Sequence, residues 1–249
     1  MKRALVQILL LAVAGGVATG GVWLWGRRPW RTAIVVNGRA ITAGELDLRA
    51  KTLYDDAVRV EHLMVSQGFE GEAMVHYRRE AAKMWIVKEV LLSEAVARGV
   101  TVTAADEKES MAQATKRLKS RDMTLESFFK EGPLPEELKR RDFQEGTLVG
   151  KFTRGAITDK VNVTPAEIEQ KIQDLKKLSL LQGEGKTPVK TDRKTAINLL
   201  RAEKYRQEFR KLFRSLYLKS DVKCPLYPEM EKLEGVSPSR PGDEEGGKK

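Results

Sequence analysis

Apolar positions fall first into one unbroken run and then into short periodic stretches. Residues 4–26 carry no charge, behind Met1-Lys2-Arg3 and ahead of Arg27-Arg28-Pro29-Trp30-Arg31. The run matches the roughly 20 residues a helix needs to cross the hydrocarbon core, and Trp23, Trp25 and Trp30 suit an interfacial flank. The pattern therefore predicts an N-terminal transmembrane helix, with residues 1–31 as anchor and basic flank. The competing reading is a cleaved signal peptide, with Ala12-Val13-Ala14 as the cleavage site and Gly15 as the new N-terminus. Both readings direct the chain to a membrane.

Beyond the run, the period shortens to two and then lengthens to that of a helix. Ala33-Ile34-Val35-Val36, Asn37-Gly38 and Arg39-Ala40-Ile41 read as a hairpin, because Asn and Gly accept the positive φ of a tight turn. Thr42 with Glu45 reads as a capping box, opening a helix that runs toward Val60. A second helix is expected over 76–98, where Val87, Leu91 and Ala95 share a face and Gly99 provides the C-terminal stop. Thr103 and Asp106 open a third helix ending near 118.

A short helix over 124–130 ends at Gly132-Pro133, and a longer one spans 135–159. Thr164, Pro165 and Glu167 open another, reaching 181. Residues 182–190 read as a loop. A long helix over 192–219 follows, with Tyr205, Phe209, Leu212, Phe213 and Leu216 on one stripe and Arg206, Arg210, Lys211 and Arg214 elsewhere. Residues 221–224 read as a short strand. From Glu229 the chain is rich in Pro, Gly and charge and reads as disordered. The body is therefore divided as 32–225, with 226–249 as a disordered tail. The fold class predicted is all-α with a minor β contribution from the Val36 and Val222 regions.

Composition narrows the chemistry. The chain has 249 residues, one cysteine and two histidines, and a formal net charge of +10. Cys224 alone allows no intramolecular disulfide and no cysteine-based zinc site. The basic balance favours acidic clients, anionic lipid or nucleic acid without choosing among them. No Gly-rich phosphate loop and no G-x-S-x-G elbow is present. His62 and His76 lack a ligand constellation, and Asp55, Asp56 and Glu61 read as a solvated helix face. Neither a metal nor a cofactor is expected.

The order of motifs resembles a known family. Val35-x-Asn37-Gly38-x-x-Ile41-Thr42 before a helix looks like the start of the SurA and PrsA chaperone modules, which are related to the peptide-binding part of trigger factor. The run Ile86-Val87-x-x-Val90-Leu91-Leu92-x-x-Ala95-x-x-x-Gly99-Val100-x-Val102-Thr103 is similar to the family's most recognisable stretch. Val161-x-Val163-Thr164-x-x-Glu167-Ile168 resembles its entry into a later helix. The resemblance spans about residues 33–224 and implies a helical cradle for unfolded polypeptide, completed by the long C-terminal helix. It also implies a body on the extracytoplasmic, periplasmic side of the inner membrane.

Many relatives insert a parvulin-type prolyl isomerase domain where this chain has only residues 182–190. The expectation is therefore a membrane-anchored holdase without isomerase activity, with no catalytic residues carried over. A dedicated envelope assembly or scaffold subunit binding one folded partner is the alternative; an active isomerase is disfavoured. Nucleic acid is not an expected partner of an exported body, and the oligomeric state is left open. Met64, Phe69, Met74, Met84, Trp85, Met111, Met123, Phe128 and Phe129 are the candidate client-binding residues, because methionine and aromatic side chains adapt to varied apolar partners. The bland alternative is that these residues fill the core.

Overall fold

The computed structural model describes residues 29–61, 70–181 and 192–232. Its first elements are β1 (Thr32–Val36) and β2 (Arg39–Thr42), paired antiparallel with Ile34 opposite Ile41 and Val36 opposite Arg39. Asn37 and Gly38 both take positive φ, +49° and +82°, as the two-residue turn requires. A third strand, β3 (Val222–Lys223), adds to the free edge of β1, giving the order β2-β1-β3. The turn is fastened to the returning chain: the Asp221 amide donates to Asn37 Oδ1, and the Asn37 amide to the Asp221 carbonyl, both at 2.9 Å.

Seven α-helices follow among the described residues: α1 (Ala43–Glu61), α2 (Glu70–Ala97), α3 (Ala104–Lys119), α4 (Leu125–Lys130), α5 (Glu136–Ile157), α6 (Pro165–Leu181) and α7 (Arg193–Tyr217). Their ends are set locally. Gly99, at φ +65°, closes α2: its amide donates to the Val96 carbonyl, and the Val100 amide donates to the Ala95 carbonyl. That bond pair is a Schellman stop. Thr103 with Asp106, and Thr164 with Glu167, form complete capping boxes. At Thr42 only half of the expected box forms. The Glu45 amide donates to Thr42 Oγ1 at 3.2 Å, but the Glu45 carboxylate accepts from Arg49 and Arg141 instead of reaching back.

The core lies where α2 crosses the sheet, α1, α5 and α7. Ile34, Ile41, Leu46, Trp85, Ile86, Val90, Phe152, Phe213, Leu216 and Tyr217 pack there. α6 packs chiefly on α7, around a separate small cluster of Ile168, Leu175 and Ala196.

The structure corrects two expectations. The predicted fold class included an N-terminal transmembrane helix, yet among the described residues no helix is long and apolar enough to cross a membrane. The run 4–26 itself lies outside the described residues, and the transmembrane helix is not carried forward. The tail boundary also moves. Residues 226–232 are ordered: Pro228–Glu231 forms a 3-10 turn, Met230 is buried, and the Tyr217 hydroxyl donates to its carbonyl at 2.6 Å. Leu226 and Tyr227 pack against the core beside Met230, and together they bring this piece onto it.

Candidate functional site

Three neighbouring grooves run along α3, α4 and α5. The first, about 460 Å³, is floored by Val100, Val102, Met111, Phe129, Phe143 and Leu148. The Schellman stop at Gly99 turns the chain out of α2 and lays Val100 to Val102 along this floor. The second groove, about 230 Å³, lies between α1 and the α4–α5 turn, against Leu118, Met123 and Phe128. The third, about 520 Å³, separates α3 from α5.

The grooves share walls. The first and third share Phe143 and Thr147; the third and second share Leu118, Arg121 and Phe128. An aromatic ridge marks the junction: Phe128 meets Phe129 edge-on at 5.5 Å between centroids, and Phe129 meets Phe143 at 5.8 Å with the rings perpendicular. Arg140 lies over Phe129 at 4.6 Å. Large apolar floors with sparse polar groups are the usual make-up of a binding cleft.

Glycine keeps the third groove open. Gly146 and Gly150 line it one helical turn apart, and a Cβ built on either meets nothing within 4 Å. α3 and α5 are tied at one end by Lys151 to Asp106 (2.6 Å) and Arg154 to Glu109 (3.0 Å). At the other end Lys139, itself buried, donates from Nζ to the Phe128 and Glu131 carbonyls, closing α4 onto α5. Burial pulls the Lys139 amine below its ordinary pKa.

A charged joint behind the grooves fixes the position of α5. Asp142 accepts from Arg49 (2.5 Å) and Lys88 (2.8 Å), and Glu145 accepts from Lys88 (2.6 Å) and Arg39 (2.7 Å). Glu89, 1% exposed, faces Arg39 Nη1 at 3.0 Å and Lys88 Nζ at 3.2 Å. Neither contact has good hydrogen-bond geometry, so this carboxylate is held chiefly by charge. Burial raises the Glu89 pKa against the pull of Lys88 and Arg39. Burial also acts to raise Asp142 and Glu145, but their hydrogen bonds to Arg49, Lys88 and Arg39 outweigh it, and both end below the ordinary range.

Of the nine residues expected to bind clients, Met111, Met123, Phe128 and Phe129 converge on the grooves. Trp85 is buried in the core and Met74 packs against it. Met84 is 58% exposed and lines none of the three grooves. Met64 and Phe69 lie outside the described residues. The reading by residue type missed Phe143, Leu148 and the arginines of the third groove. A signal for them was present: Gly146 and Gly150, one turn apart inside one predicted helix, each cost up to about 1 kcal/mol of helix propensity, which marks a face kept bare for a reason.

Among the described residues no group of His, Cys, Asp and Glu could hold a metal ion. Cys224 is fully buried, and burial pushes its thiol up to about 12. A disulfide to another chain would need the fold to open. No family model matches the chain, and no curated protein matches it. The likeness to the SurA and PrsA modules therefore rests on the motifs quoted above.

Proposed function

We propose that this protein is a peptide-binding holdase of SurA-like design, without isomerase activity. The observation that carries the reading is the set of apolar grooves with shared walls along α3, α4 and α5. Grooves that share walls let one extended chain place successive side chains, where an isolated pocket takes one compact ligand. Met111, 46% exposed, and partly buried Met123 and Phe128 offer adaptable apolar contact without a fixed shape. The motif order resembles that of the modules named above, and the resemblance implies a body completed by the long C-terminal helix.

The test is aggregation suppression on several unrelated unfolded proteins, with Gly146→Phe as the groove-filling variant. The added ring enters open space, so the variant should stay folded by circular dichroism while protecting clients less than the native chain. Equal protection by both would remove the groove from the function. Protection of a single protein alone would favour the dedicated assembly subunit instead. The same preparation should leave prolyl cis/trans isomerisation at its uncatalysed rate, with relaxation times of tens of seconds or longer; acceleration above buffer would show an isomerase.

A further inference from the structure

We propose that the third groove selects polypeptide segments in which apolar side chains are interspersed with carboxylates; this rests on the holdase reading above. Its walls bring Arg117, in the last turn of α3, and Arg121, in the turn just after that helix, opposite Arg154 on α5. The apolar floor between them is Leu118, Phe128 and Phe143. The one carboxylate in the lining, Asp142, is already engaged from behind by Arg49 and Lys88 and does not neutralise the arginines.

The three arginines are available to different degrees. Arg154 is paired with Glu109, and Arg121 lies 3.9 Å from Asp56. Arg117 has no ion-pair partner among the described residues. A guanidinium on a groove wall offers a planar fork of donors matched to a carboxylate, and lysine would offer only a point charge. The neighbouring grooves differ. Their lining carboxylates (Glu107 and Glu145 in the first; Asp55, Asp56 and Glu131 in the second) outnumber the cations beside them. Most of these carboxylates are already paired, Glu145 with Lys88 and Arg39, Asp55 with Lys51 and Asp56 with Arg121, so what sets the third groove apart is Arg117, unpaired among the described residues. Acidic side chains are favoured at the third groove, beside Arg117. The net charge of +10 draws such segments in at longer range.

The experiment measures binding to the full chain by fluorescence anisotropy, using three labelled peptides. They share one pattern of Phe and Leu and differ at two central positions, carrying Glu, Gln or Lys. The Glu peptide should bind roughly fivefold more tightly than the Gln peptide, the worth of two part-exposed ion pairs, and most of this should vanish at high salt. Arg117→Glu should abolish or invert the preference. Arg201→Glu, an exposed charge on α7 away from the grooves, should leave it intact, with both variants folded by circular dichroism. Equal binding of the three peptides, or an equal loss in both variants, would overturn the assignment, the latter by showing net charge alone at work. Displacement of the Glu peptide by a mixed-sequence DNA oligonucleotide at equal concentration would also overturn it, in favour of a phosphate site. Failure of all three peptides to bind would instead bring down the holdase reading on which the inference stands.

Discussion

Glu89 and Lys88 are neighbours in sequence, yet substituting them should have opposite consequences. Glu89 is fully buried and burial raises its pKa, so the fold disfavours its charge more than Lys88 and Arg39 favour it. Glu89→Gln keeps the shape and removes the charge. Its stability in urea should lie within about 1 kcal/mol of the native protein, because replacing a buried charge by a neutral isostere is often neutral. Lys88→Met instead removes the cation shared by Glu89, Asp142 and Glu145, leaving Arg39 and Arg49 against three carboxylates, and should cost about 3 kcal/mol. A loss of similar size for both would show that Glu89 is stabilised as a carboxylate. The pH dependence follows from the same directions. Asp142 and Glu145 are depressed, so the stability they contribute is present above their unfolded values, about pH 4, and is lost as pH falls through the lower folded ones. Glu89 is raised and acts in the opposite sense, gaining as pH falls. Acid titration of Glu89→Gln should therefore show a steeper loss of stability below about pH 5 than the native chain; a shallower one would reverse the assignment.

At the scale of the element, one substitution changes sign with position. Gly146 is an exposed helical residue with open space where a Cβ would lie, so Gly146→Ala should stabilise α5 by about 0.5–1 kcal/mol. Gly99 has equally open surroundings but sits at φ +65° in the stop of α2, where a side chain is strained. Gly99→Ala should cost about 1 kcal/mol. Thermal melts of the two variants should move in opposite directions; matching shifts would mean that the Schellman stop is not set by the glycine. The positional contrast also bears on function. Retaining glycine where alanine would be more stable is what an open groove needs, and it is the kind of local cost found where surfaces work.

At the scale of the whole molecule, the two ends of the described body close on each other. α7 delivers Phe213, Leu216 and Tyr217 into the core built by β1, α1 and α2, and β3 then pairs with β1. Burying each such side chain is worth roughly 1.5–3 kcal/mol, against a typical domain stability of about 5–15 kcal/mol. A chain ending at Lys190 loses all of them together with the third strand. It should be unfolded or aggregated, as read by circular dichroism and sedimentation. A truncated protein that remains monomeric and unfolds cooperatively would make α7 a separable element. The stripe predicted on this helix is only partly internal. Phe213 and Leu216 are buried, Phe209 and Leu212 are half-buried, and Tyr205 remains 36% exposed. α7 leaves the main core and continues along α6, where Ala196, Ile197 and Leu200 take over a second apolar face.

The local grammar of the chain was sufficient for most of the elements. Asn37-Gly38, Gly99 and the Thr103 and Thr164 boxes act within a few residues of themselves, through φ preferences and short hydrogen bonds, so their outcome does not depend on the rest of the fold. The helices between them follow from apolar spacing alone. What tertiary structure decided is which apolar side chains meet across distance. Trp85 and Phe128 look alike as large apolar residues, yet one fills the core and the other lines a groove, because α2 is enclosed by four elements while α4 caps an open cleft. Met230 is bound to the core by a contact that no window of Pro- and Glu-rich sequence reveals. The arginines of the third groove and the carboxylates of the Lys88 joint stand far apart along the chain, and charge acts through space. Only packing could bring Arg39, Arg49 and Lys88 to Asp142 and Glu145, and so leave Arg117 facing the groove without a partner among the described residues.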